Sequence, residues 1–278
     1  MRISVVHHTL YRYSSPVYLE PHVIRLRPRQ DAAQRLEAWN LEITPAPEGR
    51  YEGIDQEGNN VVRAWFQGQY EELAVHSTFT LETLRDDPFA YLPAKADLQL
   101  PMQYALPLRT PLAPYLGEGE SAPVRALSRE LAEASGWQTL PFLTAINLRL
   151  LETTSQVIRL EGAPNPAEET LRTGEGSCRD LAVLFCAVCR TMGLAARFVS
   201  GYERDASLQE NGDLHAWAEV YLEGSGWIGY DPSRGLAVAS SHVAVAAAIA
   251  PENAAPVTGT FRGKATAQLE HSIAMQVG

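Results

Sequence analysis

Residues 174–203, GEGSCRDLAVLFCAVCRTMGLAARFVSGYE, read as a Gly-rich turn, an amphipathic helix and a strand. Leu181, Leu184, Phe185, Val188 and Met192 recur at helical spacing, so one face of that helix is apolar along its length. Gly193 is its stop signal. The helix begins near Cys178, directly after the turn. A thiol there sits beside backbone N–H groups that have no partner within the helix, at the positive end of the helix dipole. Both features favour the thiolate, the nucleophilic form, and the same N–H groups suit an oxyanion. The helical phase aims Cys178 at whatever packs on Leu181 and Phe185, not at solvent.

The next segment, LHAWAEVYL at 214–222, is an apolar-rich strand carrying His215. A Gly-rich turn, EGSG, follows, and the chain returns as WIGYDPSRG at 227–235. Asp231 therefore lies on the antiparallel neighbour of the His215 strand. A hairpin is the shortest way to fix a carboxylate beside an imidazole, setting its tautomer and stabilising the imidazolium. Opposed residues share a face, so His215 and Asp231 face the same way only when opposed residue numbers sum to an even value. A five-residue loop, Leu222 to Gly226 with Tyr221 opposite Trp227, meets that condition.

Other candidates have simpler readings. Asp180, in the first turn of the helix, has a sufficient structural role in capping. Cys186 and Cys189 are embedded in helical core with no second ligand pair nearby, so zinc is not indicated. His7, His8, His22, His76, His242 and His271 show no ligand spacing, and no phosphate loop, dinucleotide fingerprint or HExxH motif occurs. The sequence thus calls for no cofactor and no metal.

Working outward, residues 1–85 alternate apolar and polar positions between turn signals such as APEG and DQEGNN, and read as an antiparallel β domain. Seven of the 18 prolines fall between Pro88 and Pro123, so 86–120 reads as a connection with little regular structure. Residues 121–278 read as a core: a helix capped by Ser121 and ended at Gly136, a second over about 140–159, the Cys178 helix, three strands and a last strand, ATAQLEHSIAMQV. The fold class is α+β. A net charge of −10 disfavours nucleic acid or anionic membrane as a partner. No run approaches the ~20 apolar residues of a membrane span, and no signal peptide is evident, so a cytoplasmic location is expected.

The order Cys, His, Asp on a helix start and two successive strands resembles the transglutaminase-like superfamily of papain-related thiol enzymes. GEGSCRDLAVLFCAVCRTMGLAARFVSGY is similar to its nucleophile segment, and LHAWAEVYLEGSGWIGYDPSRG to its His and Asp strands. YRYSSPVYLEPHVIRLRPR and DQEGNNVVRAWF are similar to the β domain of a bacterial branch. The resemblance implies a papain- or transglutaminase-like core with Cys178 as nucleophile, His215 as general base and acid, and Asp231 as orienting carboxylate. It implies acyl transfer on an amide of a peptide or protein substrate. Water as acceptor gives a cysteine protease or amidase; an amine gives a protein-glutamine transglutaminase; a non-catalytic peptide-binding module is the third reading. The side chain completing the oxyanion hole stays open between Gln156 and Trp137. Oligomeric state is unreadable, although exposed sheet edges leave room for a homodimer.

Overall fold

The computed structural model describes all residues except 118–119, 160–161 and 205–212. Six strands come first: β1 (Arg2–Leu19), β2 (His22–Ile24), β3 (Gln34–Thr44), β4 (Gly49–Ile54), β5 (Asn60–Trp65) and β6 (Tyr70–Thr83). Helices α1 (Leu106–Leu112), α2 (Ala122–Ala134) and α3 (Thr139–Thr153) lead to β7 (Ser155–Gln156), α4 (Ala167–Thr173), β8 (Glu175–Gly176) and α5 (Cys178–Thr191). The chain then runs through β9 (Ala196–Glu203), β10 (Asp213–Leu222), β11 (Gly226–Asp231), β12 (Leu236–Ala237) and β13 (His242–Ala248). It ends in β14 (Val257–Thr258), β15 (Phe261–Arg262) and β16 (Ala267–Val277). The α+β class and the amino-terminal antiparallel region stand as expected. Among the described residues no helix is long and apolar enough to cross a membrane.

Three antiparallel sheets organise these strands: β15–β1–β6–β3 with β16 also on β1, β14–β2–β5–β4, and β12–β11–β10–β9–β13. Placing the last strand with the 121–278 core needs correcting. Strand β16 pairs with β1 from Ile3↔Val277 to Tyr13↔Ala267, and β14 and β15 pair with β2 and β1. The cause is face matching across that register. Ile273 and Met275 lie opposite His7 and Val5, and they are buried with Ile3, Phe79 and Tyr202 where the first sheet meets the core. The Pro-rich connection also holds more structure than expected, since α1 places Pro107 at its start, where the missing N–H costs nothing.

Helix α5 is the axis of the core. Leu181, Leu184, Phe185 and Val188 are at most 1% exposed, and burying each contributes about 1.5–3 kcal/mol before entropy is counted. They pack on Ala218 and Val220 of β10, on Ile228 and Tyr230 of β11 and on α2 and α3. Helix α3 ends at Thr153, short of the expected 159. The β-branched residues Thr153, Thr154, Val157 and Ile158 favour extended backbone there. The Val157 N–H donates to Gly176 O, drawing residues 155–157 alongside the turn before Cys178.

Two polar joints fix the amino-terminal region against the core. Buried Gln34 and Asn59 each exchange a pair of hydrogen bonds with the backbone of β13, at Ala244 and Ala247. These side-chain amides satisfy the outer edge of a strand that would otherwise expose unpaired backbone. Nearby, His7 Nδ1 lies 2.7 Å from Tyr202 Oη and His7 Nε2 lies 2.9 Å from Thr9 Oγ1. Burial, helped by the charges of His271, His8 and His76, pushes the His7 pKa down to about 3, so this joint is neutral.

Candidate active site

Ser177 and Asp180 close the start of α5 with a capping box. Asp180 is fully buried; its Oδ2 accepts from the Ser177 N–H and Oγ, and its Oδ1 accepts from Asn165 N–H and Arg159. The expected structural reading of Asp180 is thereby met, and the same carboxylate anchors Arg159 and Asn165 beside the helix start. Cys178 is left as the half-buried first residue of α5, packed against Phe198 and Ala216. Cys186 and Cys189 are buried helical core, and burial pushes the Cys186 thiol up to about 11.

The β10–β11 hairpin has the register parity that the sequence argument requires. Tyr221 lies opposite Trp227, and one further pair, Leu222↔Gly226, narrows the turn to residues 223–225. Gly226 takes a φ of +75°, a conformation that favours glycine. His215 and Asp231 consequently share a face, and His215 Nε2 donates to Asp231 Oδ2 at 2.7 Å. The Cys178 sulfur lies close enough to the same imidazole to act on its pKa, and both line one cleft. Burial pulls the His215 pKa down, but the hydrogen bond to Asp231 and the neighbouring Cys178, with their charges, outweigh it and raise the value to about 10. Burial works against the charged Asp231 as well, yet hydrogen bonds from His215 and His242 hold its carboxyl well below the usual range.

Several neighbours were not legible as site residues. His242 Nε2 donates to Asp231 Oδ2 at 3.0 Å, so that oxygen serves two imidazoles. Ser233 donates to Asp231 Oδ1 through both N–H, at 3.0 Å, and Oγ, at 2.7 Å. Glu203 Oε2 lies 3.7 Å from His215 Nε2 and accepts from Arg234 Nε at 2.8 Å. The sequence set His242 aside for want of ligand spacing; it arrives through the pairing of β13 with β9, which no local pattern announces. Glu203, His215, Asp231 and His242 bring potential ligand atoms within 4.8 Å of one another. Each carboxylate there already meets a donor (His215, His242 or Arg234), so hydrogen bonding accounts for the cluster without a cation.

Cys178 and His215 open into a cleft of about 730 Å³. One wall is core: Gln156–Arg159, Ser177–Arg179, Phe198, Ser200 and residues 214–216. The other is the face of the first sheet, with Thr9 and Tyr11 from β1 and Ala267, Leu269 and His271 from β16, continued by residues 254–258. Gln156 lines the cleft, its amide held by Ser233 O. Trp137 is absent from that lining; its carbonyl accepts from Leu100 N–H beyond the end of α2.

Comparison with known proteins agrees with this architecture. The bacterial transglutaminase-like N-terminal region matches residues 3–82, and the transglutaminase-like superfamily matches residues 131–232. An uncharacterized protein of Mycobacterium leprae is 26% identical over 274 residues, covering 97% of this chain and 96% of its own. One from Mycobacterium tuberculosis is 28% identical over 269 residues, covering 88% and 82%. A Cytophaga hutchinsonii protein of known structure, provisionally described as a cysteine protease, superposes with a TM-score of 0.71 over 100% of this chain and 91% of its own. Its identity is 20%, so that likeness is one of fold.

Proposed function

Because the chain belongs to the transglutaminase-like superfamily, we propose that its cleft carries out cysteine-dependent acyl transfer on an amide, with water as acceptor and a peptide or isopeptide bond as substrate. The observation that carries this reading is the 2.7 Å hydrogen bond from His215 to a fully buried Asp231, with that imidazole and the Cys178 thiol opening together into the cleft. In this reading Cys178 and His215 form a thiolate–imidazolium pair, and the thiolate attacks the amide carbon. The tetrahedral oxyanion is met by the Cys178 backbone N–H at the start of α5, with Gln156 Nε2 as the second donor within the cleft. His215 returns its proton to the leaving amine, and the amine departs as the thioester forms. Water, deprotonated by His215, then cleaves the thioester and restores the thiol. Asp231 holds the imidazole in the tautomer that presents its other nitrogen to sulfur. A cleft with one wall on each unit has room for substrate chain on both sides of the scissile bond.

The test is iodoacetamide alkylation followed at pH 6 in the wild type and in His215→Ala. Cys178 is expected to react far ahead of Cys186 and Cys189, whose thiols burial holds protonated. Loss of the imidazole should slow it on the order of a hundredfold, toward the rate of an ordinary exposed thiol. Equal rates in the two proteins would reject the cysteine–histidine pair and favour a binding module. Hydrolysis of a peptide mixture by the wild type, absent in Cys178→Ala, identifies the reaction.

A further inference from the structure

Along the sheet from the cleft lies a second cavity of about 240 Å³, walled by Arg29 and Arg85 from the amino-terminal region and by Arg197, Trp217, Ser225 and His242 from the core. Trp217 is on β10, two residues beyond His215. Its indole stacks toward that imidazole with centroids 6.3 Å apart and meets His242 edge-on at 5.2 Å. The cavity is thus separated from the His215–Asp231 pair by a single layer of side chains.

Three features of its lining point the same way. First, two of its arginines are matched: Arg197 donates to Glu219 at 2.7 Å, and Arg29 sits 3.7 Å from Asp31. Arg85 has neither a side-chain hydrogen bond nor an ion pair among the described residues, so the guanidinium groups exceed the carboxylates by one. Second, Trp217 is 1% exposed, and its Nε1–H is buried with no acceptor. Third, the Ser225 Oγ is likewise buried and unpartnered. A buried donor without an acceptor costs about 1–3 kcal/mol, and such groups are rare in folded proteins. Here two occur in the lining of one cavity, beside an unmatched guanidinium. Donors and positive charge therefore outnumber acceptors in the lining, a balance that suits an anion able to accept several hydrogen bonds.

We propose that this cavity binds a small molecule through an oxyanion, a carboxylate or a phosphate, held by Arg85 and the Trp217 and Ser225 donors. At ~30 Å³ per water the space equals roughly eight waters, which admits a dicarboxylate or a small phosphate ester but no polymer. This site is separate from the cleft and does not depend on the amide chemistry proposed there.

The experiment is isothermal titration calorimetry of the full chain with inorganic phosphate and, separately, with succinate, in the wild type and in Arg85→Gln. Arg85 is half-buried, follows β6 and lies outside the core clusters, so the variant is expected to fold; matching melting curves would verify that. One-to-one saturable binding of either probe, weakened about ten- to a hundredfold by Arg85→Gln, is the expected result, since hydrogen bonds to charged groups are worth that much. Preference for phosphate would assign the ligand as a phosphate ester, and preference for succinate as a carboxylate. Trp217→Phe keeps an aromatic side chain but loses the N–H together with the five-membered ring, and should weaken the same probe several-fold in protein whose melting curve shows it folded. Absence of saturation with both probes across the millimolar range would overturn the proposal, as would binding that Arg85→Gln leaves unchanged.

Discussion

The two walls of the cleft are built on opposite plans. The core wall draws Cys178, His215 and Asp231 from 54 consecutive residues, through a helix start and one hairpin. The facing wall joins Thr9 and Tyr11 to His271 and Leu269, pairing the two ends of the chain in one sheet. Reacting groups must be held to a fraction of an ångström, and short-range elements do that with few degrees of freedom. A wall that only receives substrate can be assembled from distant strands, because its tolerance is wider. The first wall should therefore govern turnover, and the second should govern binding and fit.

The largest effect that could break this division is on the nucleophile. Cys178→Ala should lower kcat by about 10⁴–10⁶ with an unchanged melting temperature, measured on any peptide the wild type cleaves. Next, Asp231→Asn should cost about 10²–10⁴ in kcat with little change in KM, through loss of tautomer control. The same variant tests a pH linkage. The folded His215 value of about 10 lies above its unfolded value near 6.5, so its contribution to stability is complete below pH 6.5 and is lost as pH rises toward 10. Urea midpoints should accordingly fall across that window in the wild type. They should fall less in Asp231→Asn, where a principal cause of the raised value is gone.

Smaller effects sharpen the role of the second wall. Asn59→Ala leaves the Ala247 N–H and C=O without their partners and should destabilise by about 2–4 kcal/mol by denaturant titration. It should spare the alkylation rate of Cys178 at temperatures where the fold persists. The smallest effect is expected from Leu269→Ser, which removes half-buried apolar surface from the cleft face of β16. KM should rise several-fold to about tenfold with kcat retained. A fall in kcat alone would mean that both walls take part in the chemistry.

What could be read from the sequence follows the same divide. The α5 face, the Cys178 position, the hairpin parity and the amino-terminal strands are local patterns, and periodicity reaches them. The return of β16 to β1 was not legible, because alternation in ATAQLEHSIAMQV shows that a strand exists without naming its partner. His242 was missed for a related reason. Its place beside Asp231 depends on β13 lying next to β9 and on a register shift between Ala244 and Ala246. Ser233, two residues past Asp231, was within reach: a serine at that spacing can turn its N–H and hydroxyl back onto a carboxylate.

The pairing of β1 with β16 also has a cost in time. Tyr13 meets Ala267, a partner 254 residues further along. At a synthesis rate of 5–20 residues per second, one margin of β1 waits roughly 13–50 s for its complement. During that interval the nascent chain carries the cysteine, the imidazole and the carboxylate with only the β1 part of the sheet that faces them. The fit of a substrate is thus completed by translation itself, when β16 is laid against β1.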